Sequence, residues 1–515
     1  MRSERVRLAD LLAAVSVATD LGMGQEPEKA IRACLVATAL ARRMGTAEAD
    51  VCDVYYTALL RHLGCTATAH EEAYLGGDEL VSRPAAERAD FGNPREALAL
   101  LLQMGRGTGV ERVRYLTRAL RAGKEGDQAI LTAVCEVGAR LAERLGLGAG
   151  VREGLSQAFE RWDGKGTPRG LAAEGICLSA RLAEVAHQAV IFDRLSGPEA
   201  ALAMVRHRAG GWFDPGAAEA FARSGADILE EIRSRDVWEA VLEAEPAPQR
   251  TIGTEGLDGL ARALADMVDL KSPFLLGHSS EVAALSERAG VALGLGSEAV
   301  TDLRRAALLH DLGRVAVSNR IWEKPAAVST TEWEHIRLHA YQTERILTRS
   351  RVLEPLARTA GMHHERQDGS GYHRGTPGTQ VPTPVRVLAA ADAFQAMTQD
   401  RPHRPRLAPE AASEALGADA RSGRLDPECV RAVIEAAGQP VPRVRTAWPA
   451  GLSDREVEVL RLLARGCRTA PSPAACISHP GPRSTTSSTS TPRSGPRPAP
   501  PRRCSRWSMV CSATE

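Results

Sequence analysis

Apolar residues in the second half of the chain recur every three to four positions, the period of a helix with one buried face. Residues 279–293 put Val282, Leu285, Ala289 and Ala292 on one side, and Gly294 supplies the stop. Residues 298–312 repeat the pattern with Leu303, Ala306 and Leu309, end at Gly313, and carry His310 and Asp311 in the last turn. Ser329 with Glu332 three residues on predicts a capping box for a third helix, which holds His339. His363 and His364 close a fourth helical segment, and Asp392 lies in a fifth, residues 384–397, among small apolar neighbours. Near the N-terminus an apolar stretch is broken by Asp10 and Asp20, which predicts an amphipathic helix and not a signal peptide. No run reaches the roughly 18 apolar residues needed to span a bilayer, so a soluble, cytoplasmic protein is expected.

Composition sharpens this to an all-α fold. Ala, Leu and Arg dominate and aromatics are only 4%, which favours helices over sheets. At 515 residues the chain exceeds one compact core, so two or three domains are expected. A formal net charge of +1 does not mark the whole chain as a polyanion binder. The ten cysteines show no paired C-x-x-C spacing; Cys467, Cys476, Cys504 and Cys511 fall in the C-terminal tail, and the others, mostly within helical patterns, read as buried reduced thiols, not disulfides.

The helical pattern also occurs twice. ALLRHLGC at 58–65 pairs with ALLHDLGR at 307–314, an offset of 307 − 58 = 249 residues, which also pairs Gly45 with Gly294. AFERWDGKGTPRG at 158–170 pairs with HHERQDGSGYHRG at 363–375, an offset of 363 − 158 = 205, which also pairs Arg181 with Arg386. A later Asp-Pro recurs as Asp214-Pro215 and Asp426-Pro427. The change of offset means that the first copy has a longer middle, around residues 76–126. This predicts two helical domains in tandem, 5–240 and 255–438, joined by the Pro-containing stretch 244–249. A second Pro-containing linker, 439–450, leads to a short helix at 451–466 with Ser453 as N-cap, and then to a Pro-, Ser- and Thr-rich tail, 467–515, expected to be disordered.

Only the second copy can hold a metal. His278, His310, Asp311, His339, His363, His364 and Asp392 are seven nitrogen and oxygen donors of the kind that suit first-row divalent metals. Two such ions roughly 3.5–4 Å apart can clamp both oxygens of a phosphoryl displacement. The first copy has Lys29, Arg61, His62, Ala158, Phe159 and His187 at matching positions. His62 and His187 could donate but lack partners there, so that half reads as scaffold or ligand sensor.

His278, then HDLGR, a distant histidine, HHERxDGxGY and LAAADAF together resemble the HD-GYP family of HD-superfamily phosphohydrolases, closely over about 269–405 and more weakly to about 438. The resemblance implies a helical metal-dependent phosphodiesterase that hydrolyses a cyclic dinucleotide, most often cyclic di-GMP to pGpG or GMP, with water as nucleophile. It implies two divalent ions, iron or manganese. His278, His310 and Asp392 would hold one, His339, His363 and His364 the other, and Asp311 would bridge. Members with three ions carry a Glu where this chain has Phe274. His310, Asp311 and Arg314 would be catalytic, with Arg314 in place of the family's lysine and suited to bidentate phosphate contact. Asp368, Gly371, Tyr372, Arg401 and Arg404 would face substrate with Arg314. His373 replaces the proline of the GYP signature. His335 shares a helical face with His339 but matches no family ligand, and reads as a surface residue. A homodimer is compatible with this reading, and no membrane partner is expected.

GLSDREVEVLRLLARG at 451–466 resembles the first helix of a LuxR-type helix-turn-helix, but the recognition helix that would enter the major groove does not follow. One permitted back-translation of residues 471–486, read one base earlier, spells AIARRLHISPRTAVDH, close to what that family places there. A frameshift near Cys467 explains this, and DNA binding is expected only if the full motif is restored. Resequencing should expose the shifted frame; an unambiguous in-frame read through 468–486, with no such helix in another frame, would discard the idea. Two rivals to the phosphodiesterase stand beside it: a ligand-sensing transcriptional regulator, and a phosphohydrolase for another nucleotide phosphoester.

Overall fold

In the computed structural model, which describes residues 5–90, 93–103, 109–441 and 460, nearly every element is a helix. The segments 451–466 (Leu460 apart) and 467–515 lie outside the described residues. Among the described residues the strands are β1, Val6–Arg7, and β2, Thr251–Ile252, paired antiparallel with Val6 opposite Ile252. The helices that build the two halves are α1 Leu8–Gly22, α2 Lys29–Arg43, α3 Glu48–Leu59, α4 Glu79–Arg88, α5 Ala149–Ser156, α6 Leu178–Ser196 and α7 Pro215–Arg233, then α8 Thr254–Asp269, α9 His278–Ala292, α10 Ser297–Leu309, α11 Thr330–Leu347, α12 Glu354–Gly361, α13 Thr383–Thr398 and α14 Pro427–Ala436.

Several element bounds follow the two sequence offsets. Both ends of α2 and α9 differ by 249 residues (278 − 29 and 292 − 43), and both ends of α5 and α12 differ by 205 (354 − 149 and 361 − 156). The residues before α2 and α9, Glu28 and Gly277, both turn through positive φ, 73° and 76°. A buried aspartate caps each helix: Asp20 accepts from Ala30 N at 3.1 Å, and Asp269 from Ser279 N at 3.0 Å and its Oγ at 2.7 Å. Burial pushes both carboxyls up to about 7. The Asp-Pro pairs are the starts of α7 and α14, with Asp214 and Asp426 as N-caps and proline in the first turn.

Two expectations are corrected. Helix α1 is not amphipathic: thirteen of its fifteen residues are buried, including Asp20. A helix enclosed on all sides needs apolar residues all round. It is enclosed because it lies between the two halves, with Asp10 bonded to Ser350 and Gly22 beside Val315. The join at 244–249 is also no free linker. Glu245 is buried and binds Arg7, the Tyr56 hydroxyl at 2.7 Å and Arg250 N at 3.2 Å, while Leu8 N donates to Arg250 O at 2.8 Å. One apolar core runs from Leu8 to Ile434, within a single compact unit Met1–Val441. No helix among the described residues is long and apolar enough to cross a membrane.

Candidate metal centre

All seven donors named from sequence converge in the second half and all are buried. His278 opens α9, His339 lies in α11 and Asp392 in α13. The other four stand on turns, not in helices as expected. Helix α10 stops at Leu309, so His310 and Asp311 precede the short turn Leu312–Ala316. The cause is a close approach: a Cβ on Gly313 would sit 2.0 Å from His339 O. Thr343 locks the turn, accepting from Gly313 N and donating to His310 O, both at 2.8 Å. Helix α12 likewise ends at Gly361, leaving His363 and His364 beyond it.

Backbone carbonyls orient three of the histidines. The Nδ1 atoms of His310, His339 and His363 lie 2.7, 2.5 and 2.6 Å from the carbonyls of Ala307, Ile336 and Ala360. A carbonyl can only accept, so each Nδ1 carries the proton and each Nε2 presents its lone pair to the centre. His278 is held by Gln399 Oε1, 3.0 Å from its Nδ1. Asp311 then sits between two groups. Its Oδ1 is 3.6 and 3.7 Å from the Nε2 atoms of His339 and His363, and its Oδ2 is 3.8 and 3.4 Å from those of His278 and His310. Asp392 Oδ1 faces His278 and His310 at 3.2 and 3.7 Å. His364 Nε2 is 3.2 Å from His339 Nε2.

The donor atoms group as His278, His310 and Asp392; as His339, His363 and His364; and as His310, Asp311 and His363. The buried Nε2 atoms of His278 and His310 lack a well-directed hydrogen bond among the described residues. Lone pairs aimed into a dry centre with two carboxylates fit divalent cations.

Electrostatics support these donor states at Asp311, Asp392, His339, His363 and His364. Burial opposes ionisation of Asp311, but Arg314 and the surrounding histidines outweigh it and hold its carboxyl well below the usual range. Burial likewise opposes ionisation of Asp392, and the adjacent His278 and His310 rings hold it low. Burial lowers His339 to about 4 and takes His363 and His364 well below the usual imidazole range, which keeps these rings neutral. His310 alone moves up, to about 9, because the Asp311 and Asp392 carboxylates overcome its burial.

The residues expected to face substrate divide. Arg314 bonds Asp311 Oδ2 at 2.6 Å and lies 3.9 Å over the Trp322 ring. Arg401 is buried beside the same charges; burial and then Arg314 lower its guanidinium to about 10, and its Nε has no acceptor among the described residues. Tyr372 stacks on His364 with centroids 4.6 Å apart. Three others serve the backbone. Arg404 turns away and donates to the carbonyl of Ala396 at 2.7 Å, at the end of α13. Asp368 accepts from Ser370 N and Oγ at 3.0 and 2.6 Å. Gly371 passes so close to the chain that a Cβ would meet Arg366 N at 2.4 Å.

In the first half, Lys29, His62 and His187 do gather, but around a residue that sequence reasoning missed. Glu87 of α4 lies 2.9 Å from His62 Nε2 and 3.0 Å from His187 Nε2. Glu87 lies in a segment with no match at either sequence offset, so pairing the two halves could not have pointed to it. Burial lowers His62 to about 4 and His187 well below its usual range, while Lys29 and the two histidines hold Glu87 low against its own burial. His335, read as a surface residue, is exposed, as is His207, while His70 is half-buried and pairs with Glu323 at 2.6 Å.

A helical bundle with buried histidines and aspartates converging from separate helices defines a protein of the HD class. The chain belongs to the HD domain family, whose profile matches residues 96–216 and 262–429. It is 30% identical over 437 residues to the 3'3'-cGAMP-specific phosphodiesterase 3 of Vibrio cholerae, covering 83% of this chain and 94% of that protein. It is 37% identical over 162 residues to the cyclic di-GMP phosphodiesterase of Thermotoga maritima, covering 31% of this chain and 43% of that one. Among solved structures, the cyclic GMP-AMP specific phosphodiesterase V-cGAP3 of V. cholerae aligns with a TM-score of 0.58 at 26% identity, over 84% of this chain and 98% of that one.

Proposed function

We propose that the chain hydrolyses a phosphodiester bond of a cyclic dinucleotide at the centre around Asp311. It is a metal-dependent phosphodiesterase. The observation that carries the reading is the position of Asp311, with one oxygen toward His339 and His363 and the other toward His278 and His310. His278, His310 and Asp392 would hold one divalent ion, iron or manganese, His339, His363 and His364 would hold a second, and Asp311 stands where it would be shared between them. Such ions would supply activation of water and positive charge for phosphoryl oxygens. Arg314 and Arg401 bring positive charge to the same place, where a phosphate diester would need it. Tyr372 holds the His364 ring by stacking, while Asp368, Gly371 and Arg404 shape the loops.

The substrate widens from the expected cyclic di-GMP. The relative matched along most of this chain is named for 3'3'-cGAMP, whereas the cyclic di-GMP enzyme from T. maritima matches 31% of it. We therefore expect protein loaded with Mn(II) or Fe(II) to cleave 3'3'-cGAMP faster than cyclic di-GMP. Chromatography of the products from parallel assays reads this directly. Faster cleavage of cyclic di-GMP would reverse the preference, and cleavage of neither would remove the substrate class.

The segment 5–240 is a duplicated, catalytically silent copy packed onto the catalytic copy, 255–438. The shared bounds of α2 with α9 and of α5 with α12, and the profile match in two segments, support this origin.

A further inference from the structure

The silent half carries a second cluster of metal-type donors, and a lysine stands in it. His62 Nε2, His187 Nε2 and a Glu87 oxygen lie within 4.8 Å of one another, and the first two are 2.9 and 3.0 Å from the same Glu87 oxygen. Donors bound at about 2.0–2.2 Å to one tetrahedral ion are separated by roughly 3–3.6 Å, so these atoms need little movement to share one. Lys29 Nζ already reaches them, 3.0 Å from His187 Nε2 and 3.3 Å from both Glu87 oxygens. Only 1% of Lys29 is exposed, so this ammonium belongs to the centre and not to the surface.

The alignment explains the arrangement. Lys29 stands at the position of His278, His62 at that of Asp311 and His187 at that of Asp392. The carboxylates of the live site have become histidines, one histidine has become a cation, and Glu87 supplies the missing carboxylate from the inserted helix α4. Arg61, at the position of His310, is paired with Glu184 and lies 5.0 Å over the Phe159 ring, which fills the place of His364. The Arg61 charge is thus opposed by Glu184, while Lys29 is the cation in contact with Glu87 and His187.

We propose that the N-terminal centre is a divalent-metal site kept closed by its own side chain, with the Lys29 ammonium taking the place of the ion. One ammonium balances one carboxylate in a dry pocket. A divalent ion placed beside that ammonium would meet strong repulsion, since charges interact far more strongly there than in water. Without Lys29, Glu87 is a buried carboxylate flanked by two imidazoles, a donor set suited to Zn(II).

Metal content per chain, measured by plasma mass spectrometry after dialysis from Zn(II), tests this without any assay of turnover. Lys29→Ala should bind one equivalent more than wild type. Lys29→Ala with His187→Ala should return to the wild-type value, and His187→Ala alone should leave that value unchanged. If Lys29→Ala is insoluble, Lys29→Gln keeps a hydrogen-bond donor in the pocket and carries the same expectations. A folded Lys29 variant with no extra equivalent would overturn the proposal. So would a loss of metal from His187→Ala alone, which would mean that the natural site is already open.

Discussion

Asp311→Ala should lower turnover of a cyclic dinucleotide by at least about a thousandfold, and metal content should fall with it. The side chain is buried, and its two oxygens divide between two sets of imidazoles. Asp392 is placed differently: it faces His278 and His310, and its other oxygen is 3.9 Å from His364 Nδ1. Losing a ligand shared by two ions would weaken both at once, and the charge such ions would supply to a transition state is worth several kcal/mol. Each 1.4 kcal/mol is about a factor of ten, so a thousandfold loss is the modest end of the expectation. Asp311→Asn separates charge from shape. It keeps the volume but supplies one oxygen where two are needed, and should also lose metal. Turnover within tenfold of wild type, with metal retained, would show that Asp311 is not a shared ligand.

The sequence carried the donors further than it carried their geometry. The seven residues were legible because metal binding demands particular side chains in order, and those letters survive any shift in a helix end. Which of them sit on turns was not legible. Helical period extends through His310 and Asp311, but α10 stops at Leu309 because Gly313 must pass within reach of the α11 backbone, a contact between segments thirty residues apart. The residues that orient the donors were hidden for the same reason. Thr343, Gln399 and the carbonyls of Ala307, Ile336 and Ala360 carry no metal-like signature, and only the fold brings them to a histidine. The character of α1 was misjudged because Asp10 and Asp20 look like a polar face until their buried partners, Ser350 and Ala30 N, are seen. Glu365 and Glu160 were visible as a matched pair without a purpose. Both are buried loop organisers: Glu365 accepts from Arg374 N and Thr376 N at 2.9 and 2.7 Å, and Glu160 from Arg169 N and Leu171 N at 2.7 and 2.9 Å.

Helix α4, which has no match at either sequence offset, ties the two halves together, and breaking that tie should be the costliest single change for stability. Glu87 near its end enters the N-terminal cluster, while Glu79 at its start enters the catalytic half. Glu79 is fully buried and bonds Lys271 Nζ at 2.8 Å, Asn319 N at 2.8 Å and Ser318 Oγ at 2.7 Å. Lys271 is 2% exposed, so removing Glu79 strands a buried ammonium. Breaking such a pair from one side costs about 3–5 kcal/mol, and Glu79→Ala should melt several degrees below wild type. Burial alone would raise the Glu79 carboxyl, but Lys271 and the Asn319 amide hold it below its ordinary value of 4.5. A group lowered in the folded state stabilises fully above its unfolded value and loses that contribution as pH falls through the folded one. The gap in melting temperature between wild type and Glu79→Gln should therefore stay constant from about pH 8 to 5 and narrow only below the ordinary carboxylate range. A gap that is absent at pH 7, or that closes as pH rises, would show that the Glu79–Lys271 pair does not hold the halves together. Ser318 and Asn319 follow directly on the turn that carries Arg314, and Lys271 precedes His278 by seven residues. The same substitution should thus loosen both approaches to the metal centre, so that this centre depends on a helix of the N-terminal half.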